Sequence, residues 1–338
     1  MGVTMKDIAQ EVGVSVSAVS LVLNNRPCRI SEEKKRQIFE VAKRYHYAPN
    51  QAARSLVTKQ SRMLAVILPD IENIFFASLA KRIEDSCRRS GYMLLIVNSN
   101  DSHKEDKALL HSIVARGVDG IFLIVSNESC RQQEERELIQ LLKELPIPYV
   151  MVDRVYDQLE CDKVFYDNER GAYLAVRHLQ ENGHIHIGCV ANLSSNSGLL
   201  RLQGYQQALK EANQVYRPSY VVGGDYHFES GYQAADSLLQ AGVTAAFISN
   251  DMMAMGFLKR LHEHGLEVPR DFSLVGYDNS LLSTVCDVNL TSVEQDSHLL
   301  GEEACRLLID RIKDQTLPPR TVCLSPKLIV RNSVQSLK

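Results

Sequence analysis

The stretch VTMKDIAQEVGVSVSAVSLVLNN, residues 3–25, reads as two short helices joined by a tight turn. Thr4 is placed to cap the first helix, its hydroxyl accepting from a free amide of the opening turn. Met5, Ile8, Ala9 and Val12 recur at i, i+3, i+4 and i+7, which makes one apolar face. Gly13 ends that helix, since glycine takes a positive φ at little cost. Ser15 then caps a second helix, with Val19 and Leu23 inward and Val16, Ser17, Ser20 and Leu21 on another face. In a helix–turn–helix of this kind the second helix enters the DNA major groove with its first residues against base edges. Two amphipathic helices around a glycine are common, so the surrounding sequence has to decide.

Three neighbouring features do so. A third helix, from Ser31 to about Tyr45, carries Ile38, Val41, Ala42 and Tyr45 on one face and closes a small three-helix core. Charge is segregated: residues 1–62 hold 11 Lys+Arg against 5 Asp+Glu, a net of +6, whereas the whole chain is −3 and residues 63–338 therefore carry −9. A basic head on an acidic body suits phosphate binding by the head alone. Third, Pro49 stops the third helix and Asn50 can cap a new one over Gln51–Val57. Seven residues are too few for a lone helix in water, so this segment needs a second copy of itself or DNA. Its exposed Leu56 is suited to wedge between base steps in the minor groove.

Residues 3–57 resemble the DNA-binding head of the lactose-repressor family of bacterial transcription regulators. The family run V-x-x-x-D-[IV]-A-x-x-[AV]-G-V-S-x-x-[AT]-V-S-x-V-L-N appears as Val3, Asp7, Ile8, Ala9, Val12, Gly13, Val14, Ser15, Ala18, Val19, Ser20, Val22, Leu23 and Asn24, and the hinge motif Y-x-P-N-x-x-A-R-x-L as Tyr47, Pro49, Asn50, Ala53, Arg54 and Leu56. The resemblance implies DNA contacts from Thr4, Ser15, Val16, Ser17, Ser20, Leu21, Asn24 and Arg26 in the head and from Asn50, Ala53, Arg54 and Leu56 in the hinge. One departure bears on specificity: many relatives have Arg where this chain has Leu21. Arg is the usual reader of guanine O6/N7, whereas Leu offers only apolar contact, for instance to a thymine methyl.

From Met63 onward, apolar runs of strand length alternate with helix-like segments. MLAVILPD (63–70), YMLLIVN (92–98), DGIFLIVS (119–126) and YVMVD (149–153) form one series; KVFYD (163–167), HIGCVA (186–191), SYVVGGD (219–225), AAFIS (245–249) and FSLVGYD (272–278) form a second. Such repeats predict parallel sheets covered by helices, here two lobes with a cleft between them. The body resembles the family's effector domain, of periplasmic sugar-binding-protein fold, in PDIENIFFA (69–77), DNERGAYLAVRHLQENGH (167–184), ISNDMMAMG (248–256) and VPRDFSLVGYDN (268–279). The expected organisation of the 338 residues is an all-α helix–turn–helix head over 1–47, a hinge over 48–61 and an effector and dimerisation domain over 62–338. Within the last, one lobe is expected over about 62–157 and 292–319, the other over about 158–291 and 320–338.

Ligands of open α/β sheets bind beyond the carboxyl ends of the strands. Asp70, Asn73, Asp153, Ser197, Tyr226, Asn250, Asp278 and Gln295 lie there, with Arg201 early in the next helix and Phe75 or Phe76 (at most one of them) beside it. Carboxylates, amides, one guanidinium fork and an aromatic are what a polyol needs. The resemblance implies effector contacts at Asn73, Phe75, Asp153, Arg201, Tyr226, Asn250, Asp278 and Gln295; Asp251 reads as a helix cap.

Several classes are disfavoured. The chain has no G-x-S-x-G elbow, no H-E-x-x-H, no Walker loop and no dinucleotide fingerprint after a strand, so no enzyme and no cofactor are expected. The eight cysteines form no C-x-x-C pair, and His184 and His186 lack a third ligand, so no metal is expected. No apolar run spans a membrane, and the N-terminus lacks a secretory core, which suggests a cytoplasmic protein. A solute-binding receptor would share the body but not the basic head. The resemblance implies a homodimer on palindromic operator DNA, most simply a repressor of carbohydrate-utilisation genes released by a sugar. Relatives corepressed by purines, nucleosides or a phosphoprotein keep the alternative open. The ending IVRNSVQSLK is too short for the helical zipper of tetrameric relatives, which favours a dimer.

Overall fold

The computed structural model describes residues 3–24, 26–47, 60–285 and 287–338. The chain divides into two compact units, Met1–Ser61 and Arg62–Lys338.

The first unit holds α1 (Met5–Val12), α2 (Val16–Leu23) and α3 (Glu32–Arg44). Ile8, Val19 and Ile38 are fully buried at its centre, with Ala9, Val12, Val22, Val41 and Ala42 around them. Gly13 ends α1 at φ 68° and donates its amide to Ala9, and Lys34 Nζ donates to the Val12 carbonyl at 2.6 Å, which satisfies a second orphan acceptor of that helix end. Ser15 caps α2 by accepting from the Ala18 amide. Three local expectations change. The Thr4 hydroxyl donates to Asp7 Oδ2 (2.8 Å) rather than accepting from an amide, and the same carboxylate takes the Thr4 amide. Val22 occupies the inner position beside Val19, with Leu23 only partly buried. Tyr45 is exposed, because its hydroxyl reaches out to Glu11 Oε2 at 2.6 Å.

The second unit runs β1 (Met63–Leu68), α4 (Ile74–Arg89), β2 (Met93–Asn98), α5 (His103–Ala115), β3 (Gly120–Leu123), α6 (Gln132–Lys143), β4 (Tyr149–Val152), β5 (Asp162–Tyr166), α7 (Asn168–Glu181), β6 (Ile187–Ala191), α8 (Asn196–Glu211), β7 (Val221–Gly223), α9 (Phe228–Gln240), β8 (Ala245–Ile248), α10 (Asp251–Glu263), β9 (Ser273–Asp278), α11 (Leu282–Val285), β10 (Thr291–Glu294), α12 (Ser297–Lys313), β11 (Thr321–Leu324) and β12 (Lys327–Ile329). One sheet has the order β11-β5-β4-β3-β1-β2 and is parallel throughout. The other has the order β12-β10-β9-β8-β6-β7, parallel except for the edge strand β12. Central strands such as β1 and β9 are apolar on both faces because helices cover both sides.

Sheet membership moves the lobe boundaries from those expected. β5 stays in the first sheet and β10 in the second, whereas β11 returns to the first. The first lobe therefore takes in 162–166 and 321–324, and 291–294 belongs to the second. An ion-pair cluster fixes β5 there: the fully buried Asp162 carboxylate accepts from Arg311 Nε (3.0 Å) at the end of α12 and from Arg320 Nε (3.2 Å) just before β11. The chain thus passes between sheets three times, at Asp167, at Gln295–Asp296 and at Ser325–Pro326. Asp167 and Asp296 each cap the helix that follows, accepting from Arg170 N and His298 N.

In the second lobe α9 and α10 cross at closest approach through reciprocal glycines. A Cβ on Gly231 would lie 2.0 Å from the Met253 carbonyl oxygen, and one on Gly256 would lie 2.0 Å from that of Phe228. Neither neighbour is a side chain that could swing away. Gly256→Ala should therefore force the helices apart and cost about 3 kcal/mol, lowering the body's melting temperature by about 6–12 °C. A calorimetric scan showing no shift would mean that the crossing is not tightly packed.

Candidate functional site

In the first unit, α2 presents the candidate reading face. Val16 and Ser17 are exposed, and Ser20, Leu21 and Asn24 are partly exposed beside the buried Val19 and Val22. The Asn24 amide nitrogen donates to the Ser20 carbonyl and ties off the end of α2. Thr4, Ser15 and Arg26 are exposed. Among the basic residues, Lys35 and Arg44 pair with Glu32 and Glu11, whereas Lys6, Arg26, Arg29 and Lys43 stand in solvent. The hinge residues Asn50, Ala53, Arg54 and Leu56 lie outside the described residues.

In the second unit, Asn73, Phe75, Asp153, Ser197, Arg201, Tyr226, Asn250, Asp278 and Gln295 line a single cavity between the lobes. Asp70, the tenth candidate, does not. Its Oδ1 accepts from the Glu72 amide in the turn after β1, and its Oδ2 lies 3.5 Å from His227 Nε2 of the other lobe, so it bridges the lobes instead. Phe76 and Arg154 line the cavity as well. Phe75 and Phe76 meet edge to face at 5.4 Å, so both reach the site where only one was expected.

The backbone aims several of these side chains by unusual means. Asp153, Tyr226 and Asp278 have φ of 63°, 73° and 99°, a region that costs a side chain on the order of 1–3 kcal/mol. Each follows or ends a strand at the lobe interface. Asn73 and Asn250 are helix caps whose Oδ1 atoms accept from the Phe75 and Met253 amides. Asn250 Nδ2 in turn donates to the Tyr226 carbonyl. Asp251, read as a cap, is instead fully buried and accepts from Ser280 and Ser292, bracing the loop after β9.

Two guanidiniums dominate the electrostatics. Arg201 donates Nε to Asn168 Oδ1 (2.8 Å) and a terminal nitrogen to the Ser249 carbonyl, and its charge lies 3.7 Å from the centre of the Tyr277 ring. Arg154 donates to Asp101 Oδ1 (2.8 Å) and to the Val125 carbonyl, with Phe76 and Tyr226 against its plane. The Tyr226 hydroxyl is held by Ser195 and Ser197 (2.9 and 3.1 Å). Burial pushes the Asp278 carboxyl up to about 8, against the pull of Arg201, and pushes Asp153 upward too. Gln295 Nε2 donates to Asp278 Oδ1 at 2.9 Å. Two acceptors on the cavity wall, Asp153 Oδ1 and Gln295 Oε1, have no donor among the described residues. The cavity itself measures about 20 Å³, roughly one water, so the lobes must part before anything larger enters.

Among the described residues no group of His, Cys, Asp and Glu could hold a metal ion, and no helix is long and apolar enough to cross a membrane. His184 and His186 face separate partners, Thr244 with Gln335 and Tyr220.

Comparison with known proteins adds to this. Residues 4–50 match the family described as bacterial regulatory proteins, lacI family, and residues 176–334 match the periplasmic binding protein-like domain. The chain is 34% identical over 339 residues to catabolite control protein A of Priestia megaterium, covering 99% of this chain and 100% of that protein. It is 33% identical over 337 residues to the HTH-type transcriptional repressor PurR of Aliivibrio salmonicida, covering 99% of each. A solved structure of the Lac repressor dimer bound to operator and the anti-inducer ONPF superposes with a TM-score of 0.88 at 27% identity, over 99% of this chain and 100% of that one.

Proposed function

Because the chain belongs to the lacI family of bacterial regulatory proteins, we propose that it is a sequence-specific transcriptional repressor whose grip on operator DNA is set by a polyhydroxylated effector bound between the lobes. The observation that carries the effector reading is the pair of orphan acceptors, Asp153 Oδ1 and Gln295 Oε1, on a wall that also bears Arg201 and Tyr226. A buried acceptor without a donor costs about 1–3 kcal/mol. Adjacent sugar hydroxyls are donors that would relieve both, while the Arg201 fork donates to the ring's own oxygens and Tyr226 or Phe75 covers its apolar face. Asn73, Ser197, Asn250 and Asp278 complete the set, and Asp70 orients the closed lobes.

On the DNA side, Val16, Ser17 and Leu21 meet base edges, with Thr4, Ser15, Ser20, Asn24 and Arg26 around them. Asn50, Ala53, Arg54 and Leu56 serve the hinge, where paired Leu56 side chains open a minor-groove step. Two chains with two-fold symmetry then read a palindrome. An effector with different affinity for the two lobe placements shifts their populations, and the coupling to DNA is reciprocal.

The test is selection of bound sequences from a random duplex pool, followed by anisotropy titration of the selected site while sugars, nucleosides and purines are added. A sugar that raises the melting temperature and weakens DNA binding is expected. A purine that stabilises the protein and tightens DNA binding would replace the sugar with a corepressor, and no selected palindrome would remove the repressor reading. Leu21→Arg should gain a guanine preference at one base pair of each half-site, worth about 1–3 kcal/mol of discrimination. An unchanged selected sequence would take Leu21 out of the groove.

A further inference from the structure

Cys87 of α4 and Cys305 of α12 meet inside the first lobe. Both are buried, 0% and 3% exposed, in the core that the two helices share with β1, β3 and β4, and both are free thiols. A glycine at the crossing of the helices brings them together. A Cβ on Gly301 of α12 would lie 3.0 Å from Arg82 Cβ and 3.2 Å from the Ile83 amide nitrogen of α4, so the two backbones nearly touch there. One turn further along each helix stand Cys305 and Cys87. Arg89 ties the same two helices by donating to Glu302 at 2.8 Å.

The two sulfurs are not equivalent. The Cys87 thiol donates to Cys305, the Ser90 hydroxyl donates to it as well, and the Arg89 charge is nearby; together they hold Cys305 below the ordinary thiol range against the opposing effect of burial. The same hydrogen bond, and burial after it, push the Cys87 thiol up. The thiolate is the nucleophilic form, so Cys305 is the attacking sulfur and Cys87 the resolving one. Arg89, Ser90 and Glu302 are exposed, which leaves Cys305 one side chain away from solvent, a short path for a molecule as small as hydrogen peroxide.

We propose that Cys87 and Cys305 form a peroxide-responsive thiol–disulfide switch that resets the repressor from within its first lobe. The Cys305 thiolate attacks one oxygen of hydrogen peroxide. The S–O bond forms, the O–O bond breaks, and the released hydroxide leaves as water with the proton that Cys305 gave up. The Cys87 sulfur then attacks the sulfenic sulfur of Cys305. The S–S bond forms, the S–O bond breaks, and the expelled hydroxide takes the Cys87 proton. Two thiols thus give two electrons to one peroxide and yield one disulfide and two waters; a reducing dithiol reverses the change. Closure draws the sulfurs from hydrogen-bond contact to bonding distance and locks α12 onto α4. Both helices begin at the cleft, α4 directly after Asn73 with Phe75 and Phe76 in its first turn, and α12 directly after Gln295–Asp296. The bond therefore acts on the cleft wall and on a passage between the sheets through two rigid helices.

Full-length protein treated with hydrogen peroxide tests this. The intact mass should fall by two hydrogens, digestion at Lys, Arg and Glu should release residues 85–88 joined to 304–306, and dithiothreitol should part them. Cys87→Ser should stop at a sulfenic acid on Cys305 that dimedone traps, whereas Cys305→Ser should leave Cys87 unoxidised; Ala replaces Ser at either position should a variant misfold. The linked protein is expected to lose about fivefold or more in affinity for the duplex selected as above, with both variants within about twofold of their reduced forms. A linked pair that leaves DNA affinity within about twofold overturns the switch. So does a loss that both variants share, which would place the damage at another thiol such as Cys28 of the head. Oxidation of the exposed Cys323 without the linked peptides overturns the pair itself. In a protein that selects no duplex the repressor reading fails, and the linked peptides and the dimedone adduct decide the pair alone.

Discussion

Asp278→Asn makes the protein more stable at pH 8 while destroying its response to effector. The Asp278 carboxyl has a folded value pushed up to about 8 from an ordinary 3.8, chiefly by burial. The folded state therefore binds one proton more than the unfolded chain across that window, and stability falls as pH rises through it. Each unit is worth about 1.4 kcal/mol, so between pH 5 and 8 this one group withdraws about 4 kcal/mol. Asparagine keeps an Oδ1 to accept from Gln295 Nε2 and never ionises, so the variant's melting temperature should lose most of that slope and exceed wild type at pH 8 by roughly 10 °C. Effector hydroxyls that would meet both Asp278 oxygens find an amide NH2 in place of one of them, so effector binding should drop at least a hundredfold. Parallel melting curves against pH for variant and wild type would show that Asp278 ionises freely and sits in a wetter site than its burial implies.

Ile38→Ala removes DNA binding without touching effector binding. Ile38 is fully buried between Ile8 and Val19 in a core of eight side chains. Truncating such a residue costs about 2–5 kcal/mol, and a unit of this size has little more than that to lose. The head should be largely unfolded at 37 °C, with affinity for the selected duplex down at least a hundredfold. The melting transition of the body and the effector titration should stay where they are, because the two units have separate cores. DNA affinity within threefold of wild type would mean that the three helices do not depend on Ile38 for their packing.

The head was legible because its signals are local. A threonine–aspartate box, a glycine at positive φ and a serine cap fix three helix ends within a dozen residues. Three details differed: Val22 rather than Leu23 turns inward, Tyr45 reaches out to Glu11, and the Thr4 hydroxyl donates, a direction for which a hydroxyl carries no sequence mark. The strands were equally plain, but their allegiance was not. β5, β10 and β11 are four or five residues long, and nothing in DKVFY, TSVE or TVCL says which sheet each joins. What assigns β5 is Asp162 meeting Arg311 and Arg320 about 150 positions away. Nine of the ten candidates line the cavity; seven of them followed from the rule that ligands gather at strand ends, and Arg201 and Phe75 from the helices beside those ends. Arg154 escaped because its burial depends on Asp101, 53 positions earlier. The available sign was a second charge directly after Asp153 at the end of an apolar strand.

The three passages between the sheets carry a mechanical consequence. With one or two residues apiece, at Asp167, Gln295–Asp296 and Ser325–Pro326, they have too little slack for the lobes to slide, and swinging about a common axis is the easy motion. Gln295 stands on that axis and also holds Asp278. A ligand gripping this pair works with a short arm, and the far ends of the lobes travel on a long one, so a small turn at the fulcrum is magnified at the periphery. The stiffness of these passages is the gear ratio of the switch. One residue inserted into any of them would leave a protein that still folds and still binds both partners, but in which neither feels the other.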